Sequence, residues 1–137
     1  MIGRNVSIYF TLEGLMAATA QLRTYAYIGA CLGIGFHVYS AMFRTGGHLL
    51  ILFMASLPYI ACILIARFCP HTLMALIPIV PVAVLDVLTF YLAFIDVGRS
   101  TVSIALMTTP IINLVVVVPV GMFVGWVAFR WYGRHAL

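Results

Sequence analysis

Long apolar runs alternate with short polar interruptions along the whole chain, and this pattern predicts its elements. Four runs, at about 25–43, 48–66, 73–95 and 102–129, each hold roughly the 20 apolar residues that carry an α-helix across a hydrocarbon core. Between them stand Arg23, then Arg44 with Thr45-Gly46-Gly47, then Arg67 with Cys69-Pro70-His71-Thr72, then Asp96-Val97-Gly98-Arg99-Ser100; Arg130 with Trp131 and Tyr132 closes the last. Connections this short predict antiparallel neighbours that pack together. The third and fourth runs are longer than an upright helix needs, which predicts tilt or a kink.

A weaker segment at about 5–22 precedes them. Ser7, Thr11, Gly14, Ala18 and Gln21 fall on one helical stripe, opposite Ile8, Phe10, Leu12, Leu15 and Met16. That division predicts an amphipathic helix lying in the membrane interface, with Glu13 off the polar stripe. Two other readings compete. Ala18-Thr19-Ala20 resembles a signal-peptidase site, although Glu13 interrupts the apolar region before it. A fifth, poor span is the other. The expected fold class is therefore an all-α integral membrane protein. It forms a single membrane domain over residues 1–137, a bundle of about four transmembrane helices with an N-terminal interfacial helix.

Composition agrees with this. With 65% hydrophobic and 7% charged residues, the chain has too little polar surface to cover a soluble core of its size. The roughly ten-residue alternating segments of an outer-membrane barrel are missing. The net charge of +4 comes from seven arginines that are spread along the chain, so no basic patch for nucleic acid is expected. The arginines instead flank apolar runs and orient them. Arg4, Arg23, Arg67, Arg130 and Arg134 fall on one side, and Arg44 and Arg99, with Asp96, on the other; five against two predicts both termini inside. Trp126, Trp131 and Tyr132, with Tyr25 and Tyr27, would form the inner aromatic belt. The default location is a bacterial inner (cytoplasmic) membrane, and a mitochondrial inner membrane satisfies the same physics.

Few residues carry chemistry. Asp86 falls near the middle of the third run, where a carboxylate costs about 2.5–3.5 kcal/mol to insert. Asn113 falls at similar depth in the fourth, within reach of a hydrogen bond from a neighbouring helix. His37 is the histidine plainly inside a run; His48, His71 and His135 lie near ends or in the tail. These three residues form the candidate intramembrane polar site. Its functional reading is proton or ion handling, and its bland reading is polar glue that fixes helix register. A membrane haem usually takes a facing pair of histidines, and Cys69 with His71 supplies two metal ligands where three or four are needed, so neither a cofactor nor a metal is expected.

Pro58, Pro78, Pro81, Pro110 and Pro119 each remove a backbone donor and predict kinks, with Ser56, Thr108 and Thr109 as local compensation. Gly29 and Gly33 form one small-residue step, and Gly121 and Gly125 another, either within the bundle or towards another subunit.

No catalytic constellation appears, and the acids are Glu13, Asp86 and Asp96 alone. The expected function is a non-enzymatic membrane subunit that packs within a larger transport, secretion, conjugation or respiratory complex. The alternative is a small homo-oligomeric ion- or proton-coupled transporter or channel with Asp86 at its midplane. The expected partners are the lipid bilayer and other membrane subunits or copies of the same chain.

Overall fold

The computed structural model describes the backbone of residues 3–43, 49–69, 71–95 and 102–135, and side chains within 18–42, 49–69, 71–95 and 105–131. Among these residues the protein is all-helical. Helix α1 spans Gly3–Phe43, α2 Leu49–Phe68, α3 Leu73–Phe94 and α4 Val102–Ile112. A π-helical turn, Asn113–Val117, then leads without a break into α5, Val118–His135. Three helical stretches are long and apolar enough to cross a membrane: Leu49–Phe68, Leu73–Phe94 and Ala105–Trp131. This is a helical membrane protein.

One expectation is corrected at the N-terminus. The segments at 5–22 and 25–43 form one continuous helix of 41 residues, with no boundary at Arg23. At 1.5 Å per residue α1 is about 60 Å long, twice a hydrocarbon core. The physical reason lies in the local sequence. Residues 15–28 contain neither glycine nor proline, and an arginine is a good helix former. Its charge marks a change of environment and leaves the helix intact. The side chains of the predicted polar stripe from Ser7 to Gly14, and Glu13, lie outside the described residues, as do His48, Arg44, Asp96 and Arg99.

The first three helices each turn a narrow stripe inward, made for the most part of small residues. On α1 the stripe is Ala26, Ala30, Gly33, His37 and Ser40, at steps of three and four. On α2 it is Ala55, Pro58, Tyr59, Cys62 and Ala66, and on α3 Ala75, Ile79, Val82 and Asp86. Helix α3 is the hub and packs against α1, α2, α4, the π turn and α5. Among the described residues α1 meets only α2 and α3, so it stands on the far side of that pair from α4 and α5.

The glycine steps show how closely the helices approach. A Cβ at Gly121 would lie 2.7 Å from the Pro78 Cα, and one at Gly125 would lie 2.7 Å from the Leu73 carbonyl oxygen. A Cβ at Gly33 would overlap the Tyr59 ring, and one at Gly29 would meet the Ile79 side chain at 3.1 Å. Both steps therefore serve contacts within the bundle. The pairs Gly125–Leu73, Gly121–Pro78 and Thr109–Thr89 run in opposite directions along the two elements, so α4 and α5 are antiparallel to α3.

The prolines do not interrupt the helices. α2 continues through Pro58, and α3 through Pro78 and Pro81. The compensation expected from hydroxyls takes another form. Ser56 donates to the Leu52 carbonyl at 2.8 Å, two residues before the Met54 carbonyl that Pro58 frees, and Thr109 pairs with Thr89 at 3.1 Å. In the last run the irregularity is the π turn. The Val118 N–H donates to the Asn113 carbonyl, five residues back. Pro119, which follows, has no N–H to continue a regular ladder. The wider turn absorbs one extra residue. It keeps Pro110, Asn113, Val118, Gly121 and Gly125 on one buried face, although the step from 113 to 118 would leave that face in a regular α-helix.

Candidate functional site

The buried stripes bring four polar side chains to one point. Asp86, 6% exposed, lies near the middle of α3. Tyr59 Oη donates to Asp86 Oδ2 at 2.7 Å, and Asn113 Nδ2 donates to Asp86 Oδ1 at 2.8 Å. His37 Nε2 lies 3.0 Å from the same Oδ2. The contributors come from α1, α2, α3 and the π turn.

Each partner is there for a local reason. His37 continues the α1 stripe one turn beyond Gly33, whose missing side chain makes room for the Tyr59 ring. That ring also packs against the His37 imidazole, with centroids 5.7 Å apart. The π turn holds Asn113 fully buried, where a regular helix in register with Val118 would turn it away. Tyr59 and Asn113 are 1% and 0% exposed and seal the carboxylate from one side. The other side is different.

Beside Asp86 lies a cavity of about 50 Å3 that opens at one side of the bundle. Its walls come from Phe36, His37, Ser40 and Ala41 on α1, Ile51, Leu52 and Ala55 on α2, Thr89, Phe90 and Phe94 on α3, and Leu106, Thr109 and Pro110 on α4. Asp86 and His37 both line it. The phenyl rings form a linked wall: Phe36 meets Phe90 edge to face at 5.2 Å, and Phe90 tilts against Phe94 at 4.9 Å. The cavity occupies the end of the bundle formed by the C-terminal halves of α1 and α3, the N-terminal half of α2, and α4.

The donor set is that of an ionised carboxylate. Two side chains donate to it outright, and the His37 N–H completes a third bond when Nε2 carries the proton. Among the described residues, His37 is the cationisable group in contact. Arg67 begins eight residues past Tyr59, about 12 Å along α2, and Arg23 and Arg130 are further still from His37 and Asn113 along their own helices. An ionised carboxylate in an apolar bundle needs a balancing cation, and a proton on His37, 3.0 Å from Oδ2, would supply it.

Two buried polar atoms near the site have no hydrogen-bond partner: Asn113 Oδ1 and Ser40 Oγ. Ser40 stands one turn beyond His37 and lines the cavity.

Of the residues expected from the sequence, Asp86, Asn113 and His37 thus come together. Tyr59 and Ser40 join them without having been singled out. For Tyr59 a signal existed: tyrosine in membrane helices concentrates at the ends, and this one sits mid-helix. Cys69 and His71 do not form a site with other ligands. The His71 ring stacks on Phe129 at 3.8 Å, and among the described residues no group of three metal-ligating side chains comes together. Comparison with known protein families, with curated proteins and with solved structures finds none that matches this chain.

Proposed function

We propose that this chain is a small, non-enzymatic, multi-pass membrane protein in which Asp86 takes up and releases a proton through the cavity. The single observation that carries this reading is the carboxylate itself. It is bonded from three other helical elements, and it lines a cavity. Polar glue would need the bonds alone. The open side and the unpartnered Ser40 hydroxyl support a working site.

In this reading four segments cross the membrane: residues 25–43 of α1, α2, α3, and α4 with α5. The N-terminal part of α1 continues out of the bilayer or along its surface. The arginine balance supports a bacterial inner membrane with both termini cytoplasmic. The cavity then opens to the outside. One copy holds few helices, and copies of itself are the partners.

Proton uptake by the purified chain in lipid nanodiscs, followed with a pH dye after an acid pulse, tests the proposal. The wild-type chain is expected to take up one proton more than Asp86→Asn. Equal uptake across the range in which both stay folded would overturn the reading.

The one-sided packing of α1 favours a second reading, a subunit of a larger membrane complex for transport, secretion, conjugation or respiration. Leu32 and Met42 leave an apolar face with no helix against it among the described residues, at 69% and 71% exposure. Native mass spectrometry of the particle extracted in mild detergent separates the two. Other polypeptides in fixed ratio support the subunit, and multiples of this chain alone support self-assembly.

A further inference from the structure

From its size and lining we infer that the cavity is a water-binding site. It holds about two water molecules among Ser40, the Thr89–Thr109 pair and Asp86 with His37. These waters connect the buried carboxyl group to the open side of the bundle. The site does not require Asp86 to change its own protonation; where it does, the waters are the proton's route.

Size comes first. A water molecule needs roughly 10–15 Å3 of free space and takes about 30 Å3 in the liquid. A cavity of about 50 Å3 therefore has room for water and none for an organic solute. Cavities of this size stay dry when their walls are apolar. This one is lined in part by Phe36, Phe90 and Phe94, but five polar side chains also reach it: His37, Ser40, Asp86, Thr89 and Thr109.

The polar side chains have hydrogen-bonding positions to spare. The carboxyl oxygens of Asp86 offer about four positions between them, counting lone pairs and any proton. Tyr59, Asn113 and His37 use three. The Thr89 and Thr109 hydroxyls lie 3.1 Å apart, and whichever donates, the other keeps its hydrogen for a further acceptor. Water both donates and accepts, so it fits these positions wherever the protons sit.

Ser40 supplies the most specific observation. It is 9% exposed, it lines the cavity, and its hydroxyl has no hydrogen-bond partner. A serine within a helix can satisfy itself on the carbonyl one turn back, as Ser56 does on Leu52 at 2.8 Å. Ser40 does not do so. A buried hydroxyl is costly to leave unmatched, and a water in the cavity matches it. A proton then moves by relay: each water accepts one proton on one side and gives up another on the other, so every water ends as it began.

The test is water-edited solid-state NMR on the full, isotope-labelled chain in lipid bilayers, which reads how fast magnetisation passes from water to each side chain. Fast transfer is expected to Ser40, Thr89 and the His37 ring, and slow transfer to Val82, which is fully buried one turn before Asp86. Ala55 also lines the cavity, and Ala55→Leu, which fills it, should abolish the fast transfer to Ser40 and Thr89. Transfer in the wild-type chain as slow as that to Val82 would overturn the inference, as would contacts from lipid methylenes to Ser40 in place of water. Fast transfer that survives unchanged in a folded Ala55→Leu chain would place the water elsewhere and overturn it too. If Ala55→Leu does not fold, the wild-type comparison of Ser40 with Val82 decides alone. The proton-exchange reading fails separately. A wet cavity without the extra proton taken up by the wild-type chain overturns that reading and keeps the water site, and a dry cavity with that proton does the reverse.

Discussion

The two ends of the bundle are built from different materials. At one end α3 and α5 touch backbone to backbone, through Gly121 on Pro78 and Gly125 on Leu73, with Ala26, Ala30, Ala66 and Ala75 filling the space between helices. At the other end the same α3 carries Phe90 and Phe94, and its neighbours stand back around a cavity. Asp86 marks the change. Below it lie fully buried Tyr59 and Asn113, and above it lies open space. In a bilayer, apolar side chains gain little from leaving lipid for protein, so close packing by small residues is what holds helices together. The tight end supplies that adhesion, which allows the other end to remain unfilled.

Substitutions can break this contrast. The largest effect is expected at the tight end. Gly121→Val or Gly125→Val drives a branched side chain into backbone atoms that cannot yield, and should destabilise the protein by about 3 kcal/mol in thermal or denaturant unfolding in mild detergent. Next comes Asp86→Asn. Its amide nitrogen cannot accept from Tyr59, His37 or Asn113, so one donor is left unmet, at a cost of about 1–3 kcal/mol by the same measurement. Tyr59→Phe removes one hydrogen bond and keeps the ring under Gly33, and should cost about 0.6–1.7 kcal/mol. The smallest effect is expected at Gly35, where an added Cβ meets nothing within 4 Å. Gly35→Ala should leave the midpoint unchanged within about 0.5 kcal/mol, or raise it slightly through helix propensity. A Gly35 effect as large as that at Gly121 would mean that its face is covered by another chain.

Much of the site was legible because polarity is rare in this sequence. Asp86, Asn113 and His37 stand out from apolar runs, and helices that must satisfy polar groups internally bring them together. The glycine steps were legible for the same kind of reason, since a residue without a side chain earns its place by close approach. Which surface they faced was not, because Gly33 and Gly125 look alike until their partners are known. Three features escaped. Tyr59 was not singled out, although its mid-helix position set it apart. Ser40 was not singled out because a serine in a helix can satisfy itself on a carbonyl one turn back, as Ser56 does. The π turn left only a faint trace, the five-residue step from Asn113 to Val118 ahead of Pro119. The continuity of α1 was misread for another reason: arginine signals where a helix leaves an apolar region, and only glycine, proline or a cap signals where it ends.

The central claim is that Asp86 is a working, exchangeable carboxylate on the floor of an open cavity. Infrared difference spectroscopy between acid and alkaline buffer, in light and heavy water, tests it most directly. The account predicts a carboxylic-acid carbonyl band that appears on acidification, is absent from Asp86→Asn, and shifts promptly when the solvent is exchanged for heavy water. A spectrum with no Asp86 band, or a band that shifts only when the protein unfolds, would contradict it and leave Asp86 as polar glue between four helices.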